Sequence, residues 1–201
     1  LTSIFDRVFR FGRGHHDPPA VLVTGPQRSG TRIAAKMVAA DLDYEYHDER
    51  EIDIDDLTAA IGIIYRGGVA LHAPGLCDVS HLLADPRLCK IPLVVVIVRR
   101  PLEQIIASCA RVNWDSKRER EKYLSRPEFG PYFVEGQHVA KWKYDVLDGF
   151  QRPLIRALGG VAYYYQIAYE DLSAHPLWLP AEERKGWEWD RTAPGKGGRS
   201  E

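Results

Sequence analysis

The sequence predicts an α/β domain, a parallel sheet of about five strands with helices packed against both of its faces. Two observations predict it. Strand-like and helix-like segments alternate along the 201-residue chain. The strand-like runs are apolar at nearly every position, the pattern of strands buried on both faces rather than on one. In such folds ligands collect beyond the carboxyl ends of the strands, so the residues that follow each strand are the ones to inspect.

Taken in order, "LTSIFDRVFRFGRG" sets Ile4, Phe5, Val8 and Phe9 on one helical face beside Arg7, Arg10 and Arg13. This reads as a docked helix within an N-terminal segment, residues 1–19, closed by "HHDPP". The main domain is expected over 20–180. "AVLVTG" is a short apolar strand, and Thr31 to Leu42 has helical spacing, with Ile33, Met37 and Val38 on one face. "DYEYHDEREIDIDDL" is dense in acid and reads as a strand end, an exposed loop and a helix start. "GGVALHAPG" is a strand closed by Pro74 and Gly75, and "IPLVVVIVRRP" is the clearest buried strand, stopped by Pro101. "LEQIIASCARV" follows as a helix. Residues from Trp114 to Pro131 are charged and turn-rich, without clear periodicity through "DSKRERE", and read either as a mobile flap or as a solvated helix, the commoner use of a charge run. Helical spacing resumes from Val134 to Leu158, and "GGVAYYYQIAY" is the last strand. The tail, 181–201, is expected to be partly disordered.

Charge excludes some function classes. With 27 basic and 28 acidic residues the net charge is -1, which gives no global attraction to nucleic acid or an anionic membrane. Any anion site must be local. The longest apolar run, Ile91 to Val98, is far short of the roughly 20 residues that span a bilayer, so no integral membrane segment is expected. The three cysteines, Cys77, Cys89 and Cys109, lack the spacing of a zinc or redox motif and fit a reducing compartment, hence a cytoplasmic location. The histidines form no metal spacing either.

The segment between the first strand and its helix, "GPQRSGT", concentrates the chemistry. Gly25 and Gly30 permit backbone angles that let successive N–H groups converge on an anion, and the helix adds its positive end. Arg28 supplies a cation, and Ser29, Thr31 and Arg32 add donors. A nucleoside-triphosphatase loop has the form GxxxxGK[ST], whose lysine reaches the terminal phosphates and whose hydroxyl holds magnesium. Here Gly30 is followed by Thr31 and Arg32, and the strand "LVVVIV" ends in Arg99 and Arg100 where a metal-binding acid is expected. Arginines at that place repel magnesium and attract a second phosphate.

These residues resemble the sulfotransferases that use 3′-phosphoadenosine 5′-phosphosulfate. Their 5′-phosphosulfate loop reads PRSGT or PKSGT after a strand, and "GPQRSGT" is similar to it. Their 3′-phosphate site is a buried strand ending in RxP with a serine later on the next helix, and "VIVRRPLEQIIASC" is similar in Arg99, Pro101 and Ser108. Ser108 lies eight residues after Arg100 and nine after Arg99, so either arginine is the candidate 3′-phosphate ligand. "YEDLSAHP", Tyr169 to Pro176, resembles a late YEDL segment of the family, with a structural role.

The resemblance implies a three-layer α/β/α fold of the P-loop nucleoside triphosphate hydrolase-like type. It also implies a metal-independent transfer of a sulfuryl group from that donor to a hydroxyl or amine on a small-molecule or glycan acceptor. Gly25, Gln27, Arg28, Ser29, Gly30, Thr31 and Arg32 would surround the 5′-phosphosulfate, with Arg28 neutralising charge on the bridging oxygen. Arg99, Arg100 and Ser108 would hold the 3′-phosphate. Two residues are candidates for the base that takes the acceptor's proton. His72 in "VALHAPG" matches a strand-end histidine in family segments of the form KTHLP, although Ala70 stands where that motif has lysine. Glu49 stands where other branches carry a glutamate soon after the first helix. The alternatives are a P-loop kinase or triphosphatase with a degenerate loop, and a nucleotide-binding module without catalysis.

Overall fold

The computed structural model describes residues 18–49, 57–76, 92–157 and 162–178. The expected N-terminal helix, the tail, Cys77 and Cys89 lie outside these. Five parallel strands form one sheet: β1 (Ala20–Thr24), β2 (Glu45–Asp48), β3 (Val69–His72), β4 (Leu93–Arg99) and β5 (Ala162–Ala168), in the order β2-β3-β1-β4-β5. Helices α1 (Thr31–Leu42), α2 (Leu57–Ile64), α3 (Leu102–Arg111), α4 (Lys117–Leu124), α5 (Val139–Val146) and α6 (Arg152–Ala157) connect and flank them. The expected α/β class and all-parallel sheet are therefore present.

Why the strands read as continuous apolar runs is visible in their register. Ala20 and Leu22 of β1, with Leu93, Val95 and Ile97 of β4, face one cluster completed by Ala60, Ile61 and Ile64 of α2, Ile105 and Cys109 of α3, and Tyr144 of α5. The alternate residues Val21 and Val23, with Val94, Val96 and Val98, face a second cluster built on Ala34, Ala35, Met37 and Val38 of α1. Because successive side chains point to opposite faces, both sets must be apolar. Edge strand β2 is buried only at Tyr46 and Asp48, and accordingly its residues alternate.

One stretch takes the helical of its two expected forms, and another differs from the sequence reading. The charged run after Trp114 contains helix α4, which the periodicity does not reveal because only Glu119 and Tyr123 turn inward. Tyr123 anchors it, packing on Phe129 and edge-on to Phe133 at 5.9 Å each. The continuous helical spacing of Val134 to Leu158 is divided. The helix begins at Val139 with His138 capping the Ala140 N–H, and Leu147–Gln151 widens into a π-turn before α6. Pro153 accounts for the turn: it lacks an N–H and its ring would crowd the carbonyl four residues earlier. The Arg152 amide accordingly reaches back to Leu147 O.

Candidate functional site

The carboxyl ends of β1, β2, β3 and β4 lie side by side at one edge of the parallel sheet, here called the mouth, and the loop Gly25 to Gly30 leaves β1 at that edge. Gly25 and Gly30 have φ of 146° and 95°, and Arg28 between them is itself left-handed at 69°. A Cβ on Gly25 would lie 2.9 Å from Val98 O, and one on Gly30 would lie 2.5 Å from the Tyr169 ring. Glycine is thus required at both ends by space as well as by dihedral angle. The loop delivers the first turn of α1, whose leading N–H groups have no intrahelical partner, into the mouth. The Ser29 hydroxyl is buried and, although the Tyr144 hydroxyl lies near it, has no aligned hydrogen-bond partner.

Three of the predicted arginines are arranged very differently. Arg28 donates from Nε to Ser108 Oγ at 3.3 Å, and its carbonyl accepts from Arg100 Nη1 at 3.0 Å. Arg100 also donates to Gln104 and lies 4.2 Å from the Tyr169 ring centroid. Neither has a carboxylate partner among the described residues. Arg99, by contrast, is paired with Asp148 and stacked 4.5 Å from the Tyr144 ring centroid. Tyr144 links the two, accepting from the Arg100 N–H at 3.0 Å and donating to Val98 O at 3.2 Å. Burial raises the Tyr144 hydroxyl above its ordinary range, so it remains a protonated donor. Ser108 contacts Arg28 rather than either strand-end arginine. Its second partner is Arg111 Nη2, at 3.4 Å.

Arg32, read from the sequence as a ligand donor, is turned to the edge of the site. Its Nε donates to Asp48 Oδ2 at 2.9 Å, and the Tyr46 hydroxyl donates to the same oxygen at 2.7 Å. That carboxylate lies 3.4 Å from His72 Nδ1 without an aligned hydrogen bond. On its other side His72 Nε2 meets Thr31 Oγ1 at 3.0 Å. His72 is only 3% exposed, so Asp48, His72 and Thr31 form a buried line leading to the start of α1.

Glu49 is half-buried at the mouth, and its two oxygens are held separately. Gln27 Nε2 donates to Oε1 at 3.4 Å and the Gly75 N–H to Oε2 at 2.8 Å, fixing the carboxylate between the glycine loop and the turn after β3. The same turn is gripped from below by Lys143, 1% exposed, which donates to Leu76 O at 2.9 Å and to Pro74 O. Buried Glu119 lies in the field of both Lys143 and Glu49. Desolvation raises its carboxyl above the ordinary range, Lys143 opposes that shift and Glu49 adds to it.

Sequence reasoning missed Asp48, Arg111, Lys143 and Asp148. Two of them carried a signal. Asp48 is the last residue of β2, at the favoured end of a parallel strand. Arg111 stands three residues after Ser108, on the same face of α3.

Taken together, the mouth offers paired backbone and guanidinium donors, one fixed carboxylate and a buried histidine, a set suited to binding a multiply charged anion beside a proton acceptor. Among the described residues no group of three His, Cys, Asp or Glu side chains could hold a metal ion, and no helix is long and apolar enough to cross a membrane. No family model and no curated protein matches this chain.

Proposed function

We propose that the chain is a sulfotransferase that moves a sulfuryl group from 3′-phosphoadenosine 5′-phosphosulfate to a hydroxyl or amine and releases adenosine 3′,5′-bisphosphate. The observation that carries the reading is the joining of the glycine loop to Arg28 and Arg100, two guanidinium groups with no carboxylate partner among the described residues. A cation pair without counter-charge, beside the buried unpartnered hydroxyl of Ser29, fits an anionic donor. The donor supplies an activated sulfuryl group, less highly charged than a phosphoryl group, so that arginines and amides suffice to stabilise its transfer.

Each residue then has a role. The loop from Gly25 to Gly30 and the first turn of α1 hold the 5′ end, with Arg28 offsetting the charge that grows on the leaving oxygen. Arg100 offers its cation at the end of β4, while Arg99, neutralised by Asp148, braces Tyr144. Glu49 is the base toward the acceptor, because its half-buried carboxylate keeps lone pairs beyond the two bonds that orient it. His72 is a positioning residue, since its Nε2 is engaged by Thr31 rather than turned to the opening. Small molecules and glycans that present a hydroxyl or amine are the acceptor classes in view.

The test is transfer of labelled sulfate from the donor to a panel of glycans, small alcohols, amines and peptides in the presence of EDTA. Labelled product that disappears in Arg28→Ala supports the reading. Failure to consume the donor with every acceptor, together with magnesium-dependent hydrolysis of ATP, would replace it with a nucleoside-triphosphatase.

A further inference from the structure

We infer that Lys143 is a positioning residue for Glu49, and that it acts through the one peptide unit that joins Pro74 to Gly75. The inference rests on the proposed function for calling Glu49 the base, and on the geometry of the β3 turn for everything else.

Lys143 lies on α5 and is 1% exposed, yet its ammonium group has no carboxylate within ion-pair distance among the described residues. It donates to two neutral acceptors instead, Pro74 O and, at 2.9 Å, Leu76 O. A buried cation held by carbonyls alone is costly, and tying down a turn does not need the charge, since a neutral amide can donate to the same oxygens. What the charge accomplishes is set by the group it meets. The Pro74 carbonyl and the Gly75 N–H belong to one conjugated peptide unit. A cation on that oxygen polarises the unit and makes its N–H a stronger donor. This N–H donates to Glu49 Oε2 at 2.8 Å, whereas Glu49 Oε1 receives the longer bond from Gln27 Nε2, at 3.4 Å. The peptide is thus a bridge between a buried ammonium and a carboxylate at the mouth.

The frame around this bridge is fixed from two sides. The Leu76 N–H donates to Ala73 O at 3.3 Å and Thr24 Oγ1 donates to the same oxygen at 2.9 Å, tying the turn to the end of β1. Lys143 ties it to α5 on both sides of Gly75. Glu49 itself follows the last residue of edge strand β2, so its carboxylate takes its orientation from these neighbours across the mouth.

The experiment compares wild type, Glu49→Gln, Lys143→Gln, Lys143→Met and the double variant Glu49→Gln with Lys143→Met. All are kept in an osmolyte that favours the compact state, and thermal midpoints show that they are folded. The first readout is the chemical shift of the Gly75 amide proton, which needs no substrate. A charge-assisted bond holds this proton downfield, so it should move upfield in Glu49→Gln and in both Lys143 variants. The second readout is labelled sulfuryl transfer. Loosening the base predicts turnover about tenfold to a hundredfold lower in Lys143→Met, with binding of adenosine 3′,5′-bisphosphate unchanged. Lys143→Gln keeps a donor but not the charge, and its turnover should fall as well. In the Glu49→Gln background Lys143→Met should cost less than about twofold, because the carboxylate it positions is already gone. The same factor in both backgrounds overturns the inference, since that is the behaviour of a lysine that serves the fold alone. Wild-type turnover in Lys143→Gln overturns it too, and so does an unmoved Gly75 amide in Glu49→Gln, whatever becomes of the Lys143 variants. If the amide moves in every variant but wild type transfers no sulfuryl group, Lys143 stands as the holder of Glu49 and the sulfotransferase reading falls.

Discussion

Replacing Gly30 by alanine tests the loop at its tightest point. Gly30 has φ of 95°, and the added Cβ would lie 2.5 Å from Cδ2 and 2.7 Å from Cε2 of Tyr169. Ordinary carbon contacts are about 3.5–4.0 Å, so the ring must retreat by roughly 1 Å. It has little room to do so, being edge-on to Trp178 at 5.4 Å and covered by the Arg100 guanidinium at 4.2 Å. The left-handed backbone costs an L-residue about 1–2 kcal/mol, and the overpacking adds about 1–3 kcal/mol. The sum, roughly 2–5 kcal/mol, should appear as a lower urea midpoint at constant slope, followed by tryptophan fluorescence. Gly62 supplies the control, because it lies in α2 with nothing within 4 Å of a built Cβ. Gly62→Ala should stabilise by about 0.5–1 kcal/mol. A Gly30→Ala protein within about 0.5 kcal/mol of wild type would refute both the loop conformation and the placement of Tyr169, since that range is typical of a surface substitution.

Other consequences are open to direct measurement. Glu49→Gln should lower the rate of sulfuryl transfer by about a hundredfold or more while leaving bisphosphate binding unchanged, as expected for loss of a general base; an unchanged rate would remove Glu49 from that role. His72→Gln should instead weaken donor binding through Thr31, and a loss confined to turnover would return the base to His72. Lys143→Met strips the Pro74 and Leu76 carbonyls of their buried donor and should cost about 2–5 kcal/mol in chemical denaturation; a loss below about 0.5 kcal/mol would contradict the grip on the β3 turn. Because the Glu119 carboxyl is raised above its ordinary 4.5, the folded state holds its proton more tightly than the unfolded state. Its contribution to stability is therefore full below that value and is lost as pH rises through the folded value. Glu119→Gln should gain on wild type over that rise, and a difference independent of pH would contradict the burial of this carboxyl.

The sheet is legible because burial on both faces leaves only apolar residues in β1 and β4 up to their last positions, Thr24 and Arg99, and a run such as "LVVVIV" has few other uses. The glycine loop was legible for a related reason: Gly25 and Gly30 are demanded by local backbone geometry, which sequence records directly. Helix α4 was obscure since one tyrosine and one glutamate turn inward, too few to set a period. Side-chain pairings across the mouth were obscure for a different reason. Arg32 meets Asp48 and Arg99 meets Asp148 across turns that no spacing rule measures, so adjacent arginines of identical composition have opposite electrostatic situations. "YEDLSA" reads as structural, and Tyr169 fills the space left by Gly30 and lies against Arg100, placing a packing residue in contact with the site.

A mouth that receives a sulfuryl-donor nucleotide in the proposed way should bind it without a metal. Calorimetric titration with adenosine 3′,5′-bisphosphate and, separately, with ATP, each in EDTA and again in magnesium, tests it most directly. The expected result is tight bisphosphate binding that is the same in both buffers and stronger than that of ATP. Binding of ATP alone, and only with magnesium, would contradict it.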